Sequence, residues 1–146
     1  MVDTIKKITT ATDTSGKVKT DTTTAIKITI SFNNVLFDYD KSNLKKEFLP
    51  EMDKAVTLLK KEYPKIKFEV AGHTDSKGKD TYNMNLSKRR ANAVASYLSS
   101  KGISKSRMKV IGYGATQPVA PNTNADGSDN PDGRAKNRRT EIVIIQ

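Results

Sequence analysis

Cysteine and tryptophan are absent from this chain of 146 residues, and histidine occurs once. Without cysteine there can be no disulfide framework and no zinc site built on thiolates. A single histidine leaves neither a His-Glu-x-x-His zinc helix nor a multi-histidine centre. No stretch approaches the ~18 consecutive apolar residues of a membrane span. Aromatic residues make up only 6% of the chain, too few to interleave with the basic residues as single-strand nucleic-acid binding requires. No Gly-x-Ser-x-Gly or Walker loop is present, so neither a serine nucleophile nor a phosphate cradle has a motif to stand on. Nothing marks the chain as an enzyme, and no cofactor is implied.

Charge of one sign is plentiful. Lys and Arg number 26 against 16 Asp and Glu, a formal net charge of +10. Such a balance raises nucleic-acid binding as one reading. The cations are dispersed, however, and a solvated basic face accounts for them. The same face would favour an anionic wall polymer, with an affinity that salt screens.

Residues 1–24 hold nine threonines and few large apolar side chains. A segment of this kind buries too little to offset its ordering entropy, so it reads as a flexible arm or linker. It lacks the apolar core of a signal peptide. The chain is therefore expected to be cytoplasmic or cut from a longer precursor. Residues 25–146 form the expected domain. Ile26, Ile28, Ile30 and Phe32 alternate with polar residues, which predicts a half-buried strand. Leu44, Phe48, Met52, Ala55, Val56 and Leu59 follow helical spacing over about 41–61, with Ser42 as a candidate N-cap. Pro50 either kinks that helix or marks where it begins. Ile66, Phe68 and Val70 predict a second strand, leading into a polar loop at 72–78. A second helix is expected over about 81–100, stopped by Gly102. Met108, Val110 and Tyr113 predict a third strand, residues 114–137 a long polar loop, and Thr140–Gln146 a last strand. The order implies an α/β two-layer sandwich, with two main helices on one face of a four-stranded sheet.

The second helix breaks its own pattern. Asn83, Leu86 and Arg90 share a ridge with the apolar face. A buried arginine needs a partner. Asp75, in the loop before this helix, is the nearest well-placed acid. Two readings stand: an internal Asp75–Arg90 ion pair that fixes the loop, or a split pair that grips a zwitterion, its carboxylate on Arg90 and its ammonium on Asp75. Asn83 could add a donor and an acceptor. His73 reads as a loop-packing residue rather than a general base. Asp126, Asp129 and Asp132 suggest a calcium loop at first glance. EF-hand spacing fails, though, and the same residues are what turns require, so no metal is expected.

Four separated segments carry a resemblance. They are Val35-Leu36-Phe37-Asp38-Tyr39-Asp40; Gly72-His73-Thr74-Asp75-x-x-Gly78; Asn83-x-x-Leu86-Ser87-x-x-Arg90-Ala91; and Gly133-Arg134-x-x-Asn137-Arg138-Arg139-x-Glu141. Together they resemble the OmpA-like C-terminal domain, which Pal and the periplasmic part of MotB share. The resemblance covers about residues 26–146 and departs mainly in the loop at 122–133. It implies a βαβαβ-type sandwich with a mixed sheet that binds peptidoglycan non-covalently, through the diaminopimelate of the stem peptide. The family's ligand-holding Asp and Arg fall on Asp75 and Arg90. It also places Phe37, Asp38, Thr74, Asn83 and Leu86 around the pocket, and Arg138 at its rim. The implied role is to anchor an outer-membrane protein or lipoprotein to the wall from the periplasm, with membrane contact only through parts absent from this chain. A motor-stator or secretion-system component is the alternative, with a basic nucleic-acid binder behind it. The family has monomers and dimers, so a homodimer is among the partners the resemblance admits.

Overall fold

The computed structural model describes residues 2–9, 25–33 and 44–145. One mixed sheet organises them. Its strands are β1 (Val2–Thr9), β2 (Ala25–Asn33), β3 (Phe68–His73), β4 (Met108–Gly112) and β5 (Arg139–Ile145), in the order β1-β2-β5-β3-β4. β3 and β4 run parallel, and the other pairs are antiparallel. The helices are α1 (Leu49–Lys61), α2 (Asp80–Ser100) and a short α3 (Pro131–Asn137).

The four expected strands are all present, and a fifth extends the sheet. β1 lies within the segment read as a flexible arm. Five of its eight residues (Val2, Thr4, Ile5, Ile8 and Thr9) are β-branched, the class that fits a pleated strand, and it pairs along its length with β2. Residues 10–24 lie outside the described residues. The strand seen at Phe68 also continues to His73, further than its alternation indicated.

Apolar rows run across the helix-facing side. Ile30 pairs with Ile142, which pairs with Val70; Ile28 pairs with Ile144, which pairs with Phe68. Against these rows α1 packs Met52, Ala55, Val56 and Leu59, and α2 packs Ala91, Val94, Ala95 and Leu98. Each of the larger of these side chains, such as Met52, Leu59, Val94 and Leu98, contributes roughly 1.5–3 kcal/mol when taken wholly out of water. α1 starts at Leu49 with Pro50 in its first turn, the second of the two readings of that proline. A 3-10 turn over Lys46–Phe48 precedes it, and Phe48 takes the cap position. Ser42, the expected cap, lies outside the described residues.

Two glycines set the distance between α2 and the sheet. A Cβ on Gly72 would sit 2.0 Å from the Ser87 carbonyl oxygen, and one on Gly112 2.6 Å from the Lys88 nitrogen. Helix and strands therefore meet backbone to backbone. Ser87 is fully buried there, accepting from the Gly114 N–H at 2.9 Å and donating to the Met84 carbonyl at 2.8 Å. This contact brings the ridge from Asn83 to Arg90 to the C-terminal end of β3.

Residues 114–137 are not all loop. Asn130 accepts from the Gly133 N–H and Pro131 takes the first helical turn, which together start α3. The turn-rich composition of the segment hid this helix.

Candidate ligand-binding pocket

At the end of β3 the chain leaves the sheet through Thr74 and Asp75. The Thr74 N–H donates to the Gly114 carbonyl at 2.8 Å, which ties the loop to the end of β4. Asp75 Oδ1 accepts from the Lys77 N–H at 2.8 Å, a local turn that fixes the carboxylate. Gly78, at φ +95°, then lets the chain reverse into α2. From the first turns of that helix, Asn83 Nδ2 donates to the Lys77 carbonyl at 3.0 Å and to the Asp75 carbonyl at 3.4 Å. The amide donors expected for a ligand are spent on holding the loop.

Asp75 is buried, and its ion-pair partners among the described residues come from α3 and its C-terminal cap. Arg138 Nη1 donates to Asp75 Oδ2 at 2.8 Å, and Arg134 Nη1 lies 3.5 Å from the same oxygen. The direct Asp75–Arg90 pair, one of the two sequence readings, gives way to these. Arg134 lies on α3 and Arg138 caps its C-terminal end, four residues on, so both reach Asp75 from one segment. Arg134 is itself gripped by Asp129, Nε to Oδ1 and Nη2 to Oδ2, each at 2.6 Å. That two-point bond holds the Asp129 carboxyl below the usual carboxylate range.

Thr74, Asp75, Asn83, Leu86, Arg90 and Arg138 surround one cavity of about 460 Å³. Six of the eight expected site residues are thus brought together. The other two, Phe37 and Asp38, lie outside the described residues. The cavity adds Lys77, Gly78, Tyr82 and Arg134. Arg134 stood in the fourth quoted segment, and its spacing from Arg138 was the available signal. Among the described residues that line it, the one carboxylate, Asp75, stands with Lys77, Arg90, Arg134 and Arg138, so the cavity suits a ligand carrying an ammonium and at least one carboxylate. Leu86 and Tyr82 supply apolar wall for a methylene chain.

Asn137 supports the site from behind. Fully buried, it accepts from the Val119 and Ala120 N–H groups and donates to Ala120 O and Asn122 Oδ1. Asn122 Oδ1 in turn accepts from the Ser76 N–H at 3.4 Å, next to Asp75. Of the aspartates read as turn formers, Asp126 accepts from the Ser128 N–H in a local turn, whereas Asp129 instead pairs with Arg134. Among the described residues no group of three His, Asp or Glu could hold a metal ion.

His73 is buried beside the site, stacked on Tyr113 with ring centroids 5.2 Å apart. Neither ring nitrogen has a hydrogen-bond partner among the described residues. Burial, and then the Arg139 guanidinium, push its pKa from 6.5 down to about 4, although Glu141 opposes them. The folded state thus favours neutral His73. Its contribution is complete above the unfolded value of 6.5 and is lost as pH falls toward 4. Over that window the loss is about 3 kcal/mol. Urea unfolding at neutral pH and near the lower end of the window should show a larger acid loss in the native chain than in His73→Phe, by about 2–3 kcal/mol. Equal losses would mean that His73 is not buried neutral.

A family model described as the OmpA family matches residues 36–138. The chain belongs to the OmpA family. It is 42% identical over 112 residues to outer membrane porin F of Pseudomonas aeruginosa, a match covering 76% of this chain and 30% of that protein. It is 49% identical over 111 residues to a photosystem I chlorophyll a apoprotein A2 of Gloeobacter violaceus, covering 76% of this chain and 13% of that protein. The chain thus spans less than a third of either relative. Among solved structures it is similar to the peptidoglycan-associated lipoprotein of Burkholderia pseudomallei, with 27% identity, a TM-score of 0.64, and 80% and 89% of the two chains covered. It is also similar to the cell wall anchor of the T6SS from Pseudomonas aeruginosa, with 26% identity, a TM-score of 0.68, and 95% and 86% covered. No described helix of this OmpA-family chain is long and apolar enough to cross a membrane.

Proposed function

We propose that this chain is a non-catalytic module that holds peptidoglycan in the periplasm by gripping the free end of diaminopimelate in the stem peptide. The observation that carries the reading is one cavity lined by both the Asp75 carboxylate and the Arg90 guanidinium. Diaminopimelate ends in an α-amino-acid head group, one ammonium and one carboxylate. A guanidinium fork matches the carboxylate in two bonds. Asp75 has room for the ammonium. A carboxylate has about four acceptor positions, and the described bonds include the Lys77 N–H on Oδ1 and Arg134 and Arg138 on Oδ2. The family relatives support the polymer: one solved neighbour is named a peptidoglycan-associated lipoprotein and another a cell wall anchor. Anchoring an outer-membrane protein or lipoprotein to the wall is the resulting role. The same pocket would serve a secretion-system anchor.

Co-sedimentation with purified sacculi tests this. The native chain should pellet with diaminopimelate-type sacculi. Asp75→Ala and Arg90→Ala should each weaken binding by about 2 kcal/mol, roughly thirtyfold, while remaining folded. Sacculi with lysine in place of diaminopimelate offer the ammonium without the carboxylate and should bind the native chain as weakly as Arg90→Ala binds the first kind. Undiminished binding in both variants would overturn the assignment.

A further inference from the structure

The end of the domain away from the pocket has a separate character. Residues 60–69, between α1 and β3, carry four lysines, and residues 101–109, between α2 and β4, carry three lysines and Arg107. Only two carboxylates, Glu62 and Glu69, share these segments. The fold joins them. Arg107 Nε donates to the Ile66 carbonyl at 3.0 Å, its Nη1 to the Leu59 carbonyl at 3.4 Å, and its guanidinium lies over the Phe68 ring. The seven lysines are all exposed. Of the nearby acids, Glu69 accepts from Tyr113 Oη at 2.8 Å, and Asp53 lies 3.9 Å from Lys101. An open cleft of about 480 Å³ is lined by Lys67, Arg107 and Lys109 together with Glu69, Phe68, Met108 and Val143. The whole patch sits at the C-terminal end of α2, whose 21 residues run from the pocket over about 30 Å.

We propose that this basic end docks on a membrane surface bearing anionic phospholipid headgroups. Defined carboxylate or phosphate recognition calls for arginine forks. The one arginine here spends donors on backbone carbonyls, so the accessible charges are lysines, point cations on flexible stems. Among the described residues the exposed large apolar side chains are Tyr82, Val110 and Val119, and none falls in either segment, so the contact is electrostatic rather than inserted. A diffuse array of lysines suits a headgroup layer better than it suits an acidic peptide of fixed shape. If the pocket also holds the wall, a reading this second clause rests on, the domain spans from membrane surface to wall along α2.

Flotation with vesicles tests the lipid contact by itself. Vesicles of phosphatidylglycerol and phosphatidylcholine in equal parts should carry the native chain, and pure phosphatidylcholine should not. Replacing Lys61, Lys65, Lys67 and Lys105 together by Gln should weaken vesicle binding about six-hundredfold, at roughly fivefold per lysine. A control with Lys46, Lys54, Lys88 and Lys136 replaced by Gln loses the same charge elsewhere and should stay within about threefold of native. Equal losses in the two variants, or no binding to anionic vesicles, overturn the proposal. So does poly-glutamate bound through the same four lysines when vesicles are not, which would assign the patch to an acidic polypeptide. Asp75→Ala should keep vesicle binding whatever it does to sacculi, so failure of the pocket reading and failure of this one are read separately.

Discussion

Gly72→Ala is expected to destabilise the domain by about 3 kcal/mol or more, read as a lower urea midpoint and melting temperature. The added methyl would stand 2.0 Å from the Ser87 carbonyl oxygen and 2.8 Å from its carbonyl carbon. Both atoms are backbone, in the middle of a helix of 21 residues, so no rotamer change can clear them. α2 would have to lift from β3. That movement would stretch the bond from the Gly114 N–H to Ser87 Oγ and open the core beneath Ala91 and Val94. Tight interiors forfeit contacts steeply when a gap of this size opens. The pocket would suffer with the fold, because Asn83 and Arg90 reach it from the same helix. A loss below about 1 kcal/mol would mean that helix and sheet do not approach this closely.

That contact shows what the sequence made legible and what it hid. α2 was readable because its polar residues fell on its apolar stripe. Asn83, Ser87 and Arg90 are buried as the period of 3.6 demands, and two of them line the pocket. Asp75 was readable as a site residue for the same reason: a buried arginine wants an acid, and a loop leading into that helix supplies one. The partner of Asp75 was not readable. Arg134 and Arg138 lie about sixty residues away, and only the antiparallel return of β5 beside β3 brings them to it. α3 was hidden for a local reason. Asn, Asp, Gly and Pro read as turn residues, although Asn130 and Pro131 are also a cap followed by a first-turn proline. β1 was hidden by treating threonine as polar. Its β-branching favours strand, and the neighbouring β2 gave it a ladder to join.

Asn137→Ala should be the most damaging change outside the apolar core, at about 4 kcal/mol, with a loss of sacculus binding beyond what the stability change explains. The side chain is fully buried and uses its whole capacity, two accepted and two donated bonds. Alanine would strand two backbone N–H groups and one carbonyl, each costing about 1–3 kcal/mol where water does not replace the partner, and would take one of two donors from the Asn122 amide oxygen. The consequence reaches the pocket by two routes. Through Asn122 it loosens the Ser76 N–H, one residue past Asp75. It also lies at the end of α3, between Arg134 and Arg138, the two cations that set Asp75 Oδ2. Asn137→Asp, which keeps the shape and both accepted bonds but loses both donors, should fall between native and alanine in stability. Urea unfolding of the three chains, with sacculus pelleting where each is fully folded, checks both effects. If Asn137→Ala unfolds like the native chain, the loop at 114–130 is held by something other than this asparagine. If it is destabilised yet pellets as native while folded, the pocket does not depend on that loop, and Asp75 is positioned by its own turn with Lys77 and by Asn83 alone.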